Sequence, residues 1–413
     1  MRFLVLCALF GLAAAATTKY DGFKVLRAYP TTHKQLIKLQ RWERLDERLD
    51  FWTSPVRIGS QVDIMVSKSL VRTISYKLKK SKIPFIIAVD DVQKLIDENG
   101  GNSKTDSSRV DFNEYNRFDA INTFLQNTAN SCNNCELLDI GTSYEGREMK
   151  VIKIGAGTNK PGLFFECGIH AREWISPAVC INVINKLATE YDSNSQVKEM
   201  LDRYDWFFSP VSNPDGYEYT HTDTRLWRKT RSENSGSSCR GVDPNRNWGY
   251  RWGESGSSTN PCSDIFMGPS AFSEKETANI RDFVLQRASR IRMYMSVHSF
   301  GQYFLIPWSY ATEYPEDFDD LQEAGDVGAN ALREVHGVTY TVGHSAVLLG
   351  ATAGSSDDWA KGGANIKFAY TLELRDRGFY GFLLPKDQIQ PTFEEVWAAL
   401  YAMHNHFNTN WPM

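Results

Sequence analysis

The sequence lacks the features that mark membrane, fibrous and nucleic-acid-binding chains. After its first sixteen residues it has no run of about 20 apolar residues, so it is not built on membrane-spanning helices. It has no internal repeat and no low-complexity tract, which excludes solenoids and biased tails. Its basic residues form no block, which argues against a nucleic-acid arm. No Asn-x-Ser or Asn-x-Thr occurs, so N-linked glycosylation is not expected. Cysteine is scarce, with seven in 413 residues, and the single Cys-x-x-Cys, at Cys132 and Cys135, falls short of the two that a structural zinc knuckle needs.

What remains is a globular composition, 42% hydrophobic and 13% aromatic, long enough for one large domain and a smaller one. Residues 1–16 have Arg2, the apolar run "FLVLCALFGLAAA" and small residues before Thr17. They read as a cleavable secretory signal, too short to span a bilayer. The protein is therefore expected to be secreted and extracellular. Cys7 leaves with the signal, and the other six cysteines are expected to form disulfides, in pairings that spacing alone does not decide.

The small net charge of −4 hides a division. Residues 17–109 carry 18 Lys and Arg against 11 Asp and Glu, and residues 110–413 carry 27 against 39. A basic part and an acidic part attract each other. In the first part, "GFKVLRAYP", "QVDIMVS" and "KIPFIIAV" read as strands and "THKQLIKLQRWERLDERL" as a helix, which makes a small α+β module. The polar stretch "DENGGNSKTDSSRV" follows, with Lys104 and Arg109; it is either a plain linker or a protease-sensitive tether behind a removable segment. Beyond it, the apolar runs "PGLFFECGIH", "DWFFSPVSNPDG", "IRMYMSVHSF" and "KFAYTLELRD" alternate with helical patterns such as "SPAVCINVINKLATEY" and "SEKETANIRDFVLQ". That alternation predicts an α/β domain with a mixed, mostly parallel central sheet covered by helices on both faces.

Three of those runs end in a polar group: His170, His298 and Glu373. His170 and Glu173 are three residues apart, close enough to share one side of a helix start. Alone, that pair is as consistent with a solvated helix end as with half of a metal site. His298, carried to a sheet edge by its strand, supplies a third ligand, and two histidines with a glutamate match a catalytic zinc with one open position. Asp243, in "GVDPNRNW", is available to accept the second ring N–H of a ligating histidine.

With "NPDGYEYTHTDTRLWRKTRS", "SSDDW" and "TLELRDRGFYGFLLP" added to "GIHAREWISP", "GVDPNRNW" and "SVHSFGQ", the chain resembles the secreted zinc metallocarboxypeptidases of the pancreatic carboxypeptidase A/B family. The resemblance covers nearly all of residues 110–413 and extends to the segment before them. It implies a signal at 1–16, an activation pro-domain with linker at 17–109, of the ferredoxin-like open-sandwich type, and a catalytic domain at 110–413. It implies a monomer with one Zn2+ per catalytic domain, inhibited by its own pro-domain until a trypsin-like protease cuts after Arg109, acting on peptide and protein C-termini, with no nucleic-acid or membrane partner.

Residue by residue, the resemblance makes Glu373 the general base, although a strand-end glutamate paired with Arg375 is a plain alternative. Arg228 becomes the oxyanion stabiliser. Asn245 and Arg246 hold the substrate's terminal carboxylate, and Arg172 is an auxiliary contact. Cys239 pairs with Cys262 and Cys167 with Cys180, leaving Cys132 to Cys135. The residue before "DW" is Asp357, which with Ser345, Thr352 and Ser355 implies a B-type pocket for C-terminal Lys or Arg; helix capping is the alternative role for Asp357.

One position departs from the family. The tyrosine expected nine residues before Trp359 is replaced by Gly350, and the nearest upstream tyrosine is Tyr340. Weaker substrate binding with surviving activity is expected, and a non-catalytic peptide-binding relative or an A-type preference for apolar C-termini are the competing readings. A secreted structural or adhesion protein would leave the zinc-site residues without a purpose.

Overall fold

The computed structural model describes residues 17–99 and 109–411. The signal segment, Lys104 and most of the linker lie outside the described residues; Arg109 lies within them.

The first part is a four-stranded sheet of β1 (Lys24–Ala28), β2 (Leu49–Phe51), β3 (Val62–Val66) and β4 (Phe85–Val89), in the order β2-β3-β1-β4 and antiparallel throughout. Side chains alternate across it. Leu26, Ala28, Val62, Ile64 and Val66 pack on one face with Leu39 of helix His33–Leu45 and Ile74 and Leu78 of helix Val71–Lys80, an open sandwich. Val25 and Met65 point the other way and join Trp52, Val92 and Ile96 in a cluster with Leu226, Phe382 and Leu383 of the second part. The small sheet thus has helices on one face and the large domain on the other.

The first helix is shorter than its spacing predicts. Thr32 caps its start, with Oγ1 accepting from Gln35 N, but Asp46 ends it, and Leu49, which continues the helical spacing, instead opens β2 opposite Val66. Asp97 and Glu98, read as linker, close the helix Val92–Glu98.

The second part is an eight-stranded sheet of β5 (Cys135–Thr142), β6 (Glu148–Ile154), β7 (Gly162–Cys167), β8 (Asp205–Ser209), β9 (Ile291–Ser299), β10 (Tyr303–Ile306), β11 (Thr341–His344) and β12 (Phe368–Leu374), in the order β11-β10-β12-β9-β7-β8-β6-β5. Its centre, β12-β9-β7-β8, is parallel; outside it β12–β10, β8–β6 and β6–β5 are antiparallel, and the edge pair β10–β11 is parallel. The continuous apolar runs follow from burial of both faces. Leu163, Phe165, Met293 and Met295 face helices that include Ile175–Thr189, Phe318–His336 and Ile389–Asn410, while Phe164 and Tyr294 face Ile280 and Phe283 of helix Lys275–Leu285 and the indoles of Trp248 and Trp359. Among the described residues no helix is long and apolar enough to cross a membrane.

Two expected disulfides are present, Cys132–Cys135 and Cys239–Cys262. The third is not: Cys167 and Cys180 are buried free thiols. They lie beside each other in the main core, and burial first, then the Cys180 thiol, pushes the Cys167 thiol well above its ordinary value. Cys167 is not poised as an attacking thiolate, and both residues pack as small apolar side chains.

Candidate metal centre and active site

The register of the central strands gathers the chemistry. In the parallel pair β9–β12, His298 lies opposite Glu373, and Cys167 at the end of β7 lies opposite Val297. The C-terminal ends of three adjacent strands therefore open at one edge, where ligands bind in open α/β sheets. His170 and Glu173 are not on a helix: they occupy the turn between β7 and helix Ile175–Thr189. Gly168 starts that turn at φ +65°, and a Cβ there would lie 2.9 Å from Pro177 Cγ, so the close approach needs a glycine. Ser176 then ties the turn to β9, accepting from Gly168 N at 3.0 Å and donating to Val297 O.

His170, Glu173 and His298 are buried with their donor atoms converging. Nδ1 of His170 is 2.8 Å from Glu173 Oε1 and 3.1 Å from Nδ1 of His298, which is 3.1 Å from Glu173 Oε2. Two ring nitrogens that close repel unless a proton or cation lies between them. Donors each about 2.0–2.1 Å from one tetrahedral zinc are roughly 3.3–3.4 Å apart, so the set fits the ion. Each ligand is also held from behind. Asp243 accepts from His170 Nε2 at 3.0 Å, Ser296 Oγ meets His298 Nε2 at 2.8 Å, and Ser299 N donates to Glu173. Burial pushes the Glu173 carboxyl up, but His170 and His298 outweigh it and hold the group well below the carboxylate range.

The chain-wide comparisons agree with this centre. The family model described as "Zinc carboxypeptidase" matches residues 121–399, and "Carboxypeptidase activation peptide" matches residues 26–99. The chain belongs to the zinc carboxypeptidase family. Carboxypeptidase B of Astacus astacus is 46% identical over 301 residues, covering 72% of this chain and 98% of that protein. Carboxypeptidase A2 of Mus musculus is 36% identical over 411 residues, covering 97% of each. Among solved structures, thrombin activatable fibrinolysis inhibitor aligns with a TM-score of 0.87 at 31% identity, over 95% of this chain and 100% of that one. The protein is a metallocarboxypeptidase with an activation pro-domain, and His170, Glu173 and His298 hold its zinc.

The carboxypeptidase cavity, about 490 Å3, runs from the metal ligands past Glu373, Arg228, Asn245 and Arg246 to Asp357. Glu373 is not paired with Arg375, which is engaged by Glu395 and Gln388. Its Oε2 is buried without a partner, and burial lifts the carboxyl to about 8 against the pull of His298. Arg228 donates through Nε and Nη2 to Asp243 Oδ2, at 3.1 and 2.9 Å, and keeps Nη1 3.9 Å from Glu173. Asn245 accepts from Ser356 N, and Arg246 donates to Gly256 O and Asn245 O.

Asp357 also lines the cavity, 1% exposed, in the short helix Ser356–Asp358. It caps nothing: Oδ2 accepts from Ser309 Oγ at 3.2 Å, and Oδ1 has no partner. Ser345, bonded to Ser309, and Thr352 and Ser355 complete polar walls. The sequence reading missed Ser309, which reaches the pocket from a different loop and carries no local motif.

The pro-domain closes the cavity. Trp52, Ser54, Val56 and Gln61 line it. Arg172 is taken up by Asp50, to which Nη1 donates at 2.9 and 3.0 Å, and its guanidinium stacks 4.2 Å from the Phe382 ring. Glu43 shares a smaller space of about 120 Å3 with Arg228 and Arg246. Gly350 has φ +85°, and a Cβ on it would sit 2.7 Å from Val56 Cγ1, so the pro-domain fills the place a side chain would take.

Proposed function

We propose that this protein is a secreted zymogen of an exopeptidase that removes C-terminal Lys or Arg, released by trypsin-like cleavage after Arg109, at the boundary between segments 17–109 and 110–413. The observation that carries the specificity is Asp357, a buried carboxylate with a free oxygen at the floor of a polar pocket, which asks for a cationic side chain. Resemblance to both B-type and A-type relatives leaves that residue to decide between them.

Zinc bound by the triad supplies Lewis acidity, polarising a carbonyl and making water acidic near neutrality. The remaining roles fall to the chain. Arg246 and Asn245, joined by Arg172 once Asp50 has left, grip the substrate's terminal carboxylate, which restricts cleavage to the last peptide bond. Glu373, unpaired and inclined to hold a proton, takes one from the attacking water and passes it to the departing amine. Arg228 keeps a permanent charge beside the developing oxyanion, a contribution of about 3–4 kcal/mol in comparable sites. Asp50 meanwhile keeps Arg172 engaged in the zymogen, and Glu43 lines the same small space as Arg228 and Arg246.

The test is release of C-terminal Arg and Phe from matched blocked dipeptides after trypsin treatment, with and without a zinc chelator. Chelator-sensitive release of Arg over Phe is expected. Preference for Phe would overturn the role of Asp357, and no chelator-sensitive release would overturn the enzymatic reading.

A further inference from the structure

Glu166 is a carboxylate in the middle of the apolar strand β7, fully buried and with no arginine or lysine beside it. Burial pushes its carboxyl up, and the hydrogen bond from Ser296 works against that rise. Across the parallel pair it lies opposite Ser296 of β9, and Ser296 stands two residues before His298, on the same face. Ser296 Oγ donates to Glu166 Oε2 at 2.7 Å and meets His298 Nε2 at 2.8 Å. A hydroxyl has one hydrogen to give. If it goes to Glu166, Ser296 must accept from His298, so Nε2 carries the proton and the Nδ1 lone pair faces Glu173 and His170.

We propose that Glu166, acting through Ser296, is a positioning residue that fixes His298 in the tautomer that binds zinc. The inference rests on the zinc site described above and adds to it: Asp243 orients His170 directly, while Glu166 orients His298 through one hydroxyl. Glu166 Oε1 is buried without a hydrogen-bond partner, with the Tyr294 and Ser356 hydroxyls beside the carboxyl, so the residue's one firm bond is the one to Ser296. Without the carboxylate the Ser296 hydroxyl can turn and donate to Nε2, which puts the proton on Nδ1 and blocks the ligand.

The experiment is zinc affinity of the full chain, measured by competition with a chromogenic chelator, for wild type, Glu166→Gln, Ser296→Ala, Ser296→Thr and the Glu166→Gln/Ser296→Ala double variant. Ser296→Ala is expected to lose about 10- to 100-fold, as outer-shell changes do. Glu166→Gln should lose affinity too, Ser296→Thr should keep it, and the double variant should be no worse than Ser296→Ala, because one residue acts only through the other. The zinc-free melting temperature of Glu166→Gln should match or exceed that of wild type. One zinc bound by wild type supports the site itself. Wild-type zinc affinity in Glu166→Gln, or losses that add in the double variant, would overturn the relay and leave the site standing; a loss matched by a fall in zinc-free melting temperature would assign Glu166 to packing instead.

Discussion

The two ends of the cavity are built differently. At the metal end each of the three ligands stands on a strand end or the adjoining turn and is held by a partner: His170 by Asp243, His298 by Ser296, Glu173 by Ser299 N. At the pocket end the residues come from turns and short helices between positions 345 and 357, joined by Ser309 from another loop. Asp357 keeps an unpartnered oxygen, and Gly350 offers no side chain. One end is complete by itself, whereas the other is completed by an occupant, currently Val56 and its neighbours of the pro-domain. Preorganisation belongs where charge develops in the reaction, and adaptability where different substrates enter.

Zinc removal should break the comparison most severely, because it strips the self-sufficient end. A ligand present at about 1,000 times its dissociation constant stabilises the native state by roughly 4 kcal/mol. In a domain of this size that is on the order of 10 °C of melting temperature. Calorimetry of the zymogen with and without chelator should show that drop alongside complete loss of activity after trypsin treatment. An unchanged melting temperature would mean that the triad holds no ion.

Glu373→Gln keeps shape and zinc but removes the base. Turnover should fall by about 100- to 10,000-fold, with zinc content unchanged by elemental analysis. If turnover survives, another group moves the proton.

Asp357→Ser probes the other end. Truncating one partner of a desolvated charge pair costs about 2–5 kcal/mol, so kcat/KM for a C-terminal Arg substrate should drop by roughly 30-fold to several thousandfold. Release of C-terminal Phe should change little, and zinc affinity not at all. Equal losses on both substrates would show that Asp357 supports the fold rather than the choice of substrate.

The same contrast explains how much could be read from sequence. The metal end was legible because its residues terminate apolar runs whose burial on both faces is visible in "GLFFEC", "IRMYMSV" and "KFAYTLEL", and strand ends are where such sheets place ligands. Glu166 and Ser296 escaped notice inside those same runs: their meaning depends on which strand lies beside which, and register has no local signature. Ser309 escaped for a similar reason, since it meets Asp357 only after the chain has folded back on itself. In the pro-domain, Leu45 and Leu49 share a helical spacing, yet pairing of Leu49 with Val66 drew that residue into a strand. Cys167 and Cys180 were expected as a bond and proved to be neighbours, a distinction spacing does not carry.

The smallest expected effect bears on the least legible position. Any L-residue at 350 is strained at φ +85°, and its Cβ would press on Val56. Gly350→Tyr therefore overpacks the seat of the pro-domain, at a cost of about 1–3 kcal/mol. Activity of the uncut zymogen towards a small substrate should rise by roughly 5- to 150-fold, with the trypsin-activated enzyme showing a lower KM because the new hydroxyl can reach the substrate. Val56→Gly in the same chain should return the zymogen to low activity by making room, while leaving the improved KM in place. That pattern separates the two tenants of the pocket end, since Val56 leaves with the pro-domain and the tyrosine stays. A Gly350→Tyr zymogen as silent as wild type would mean that the loop 345–355 shifts to accept the ring, and that Val56 merely rests against Gly350 rather than depending on its missing side chain.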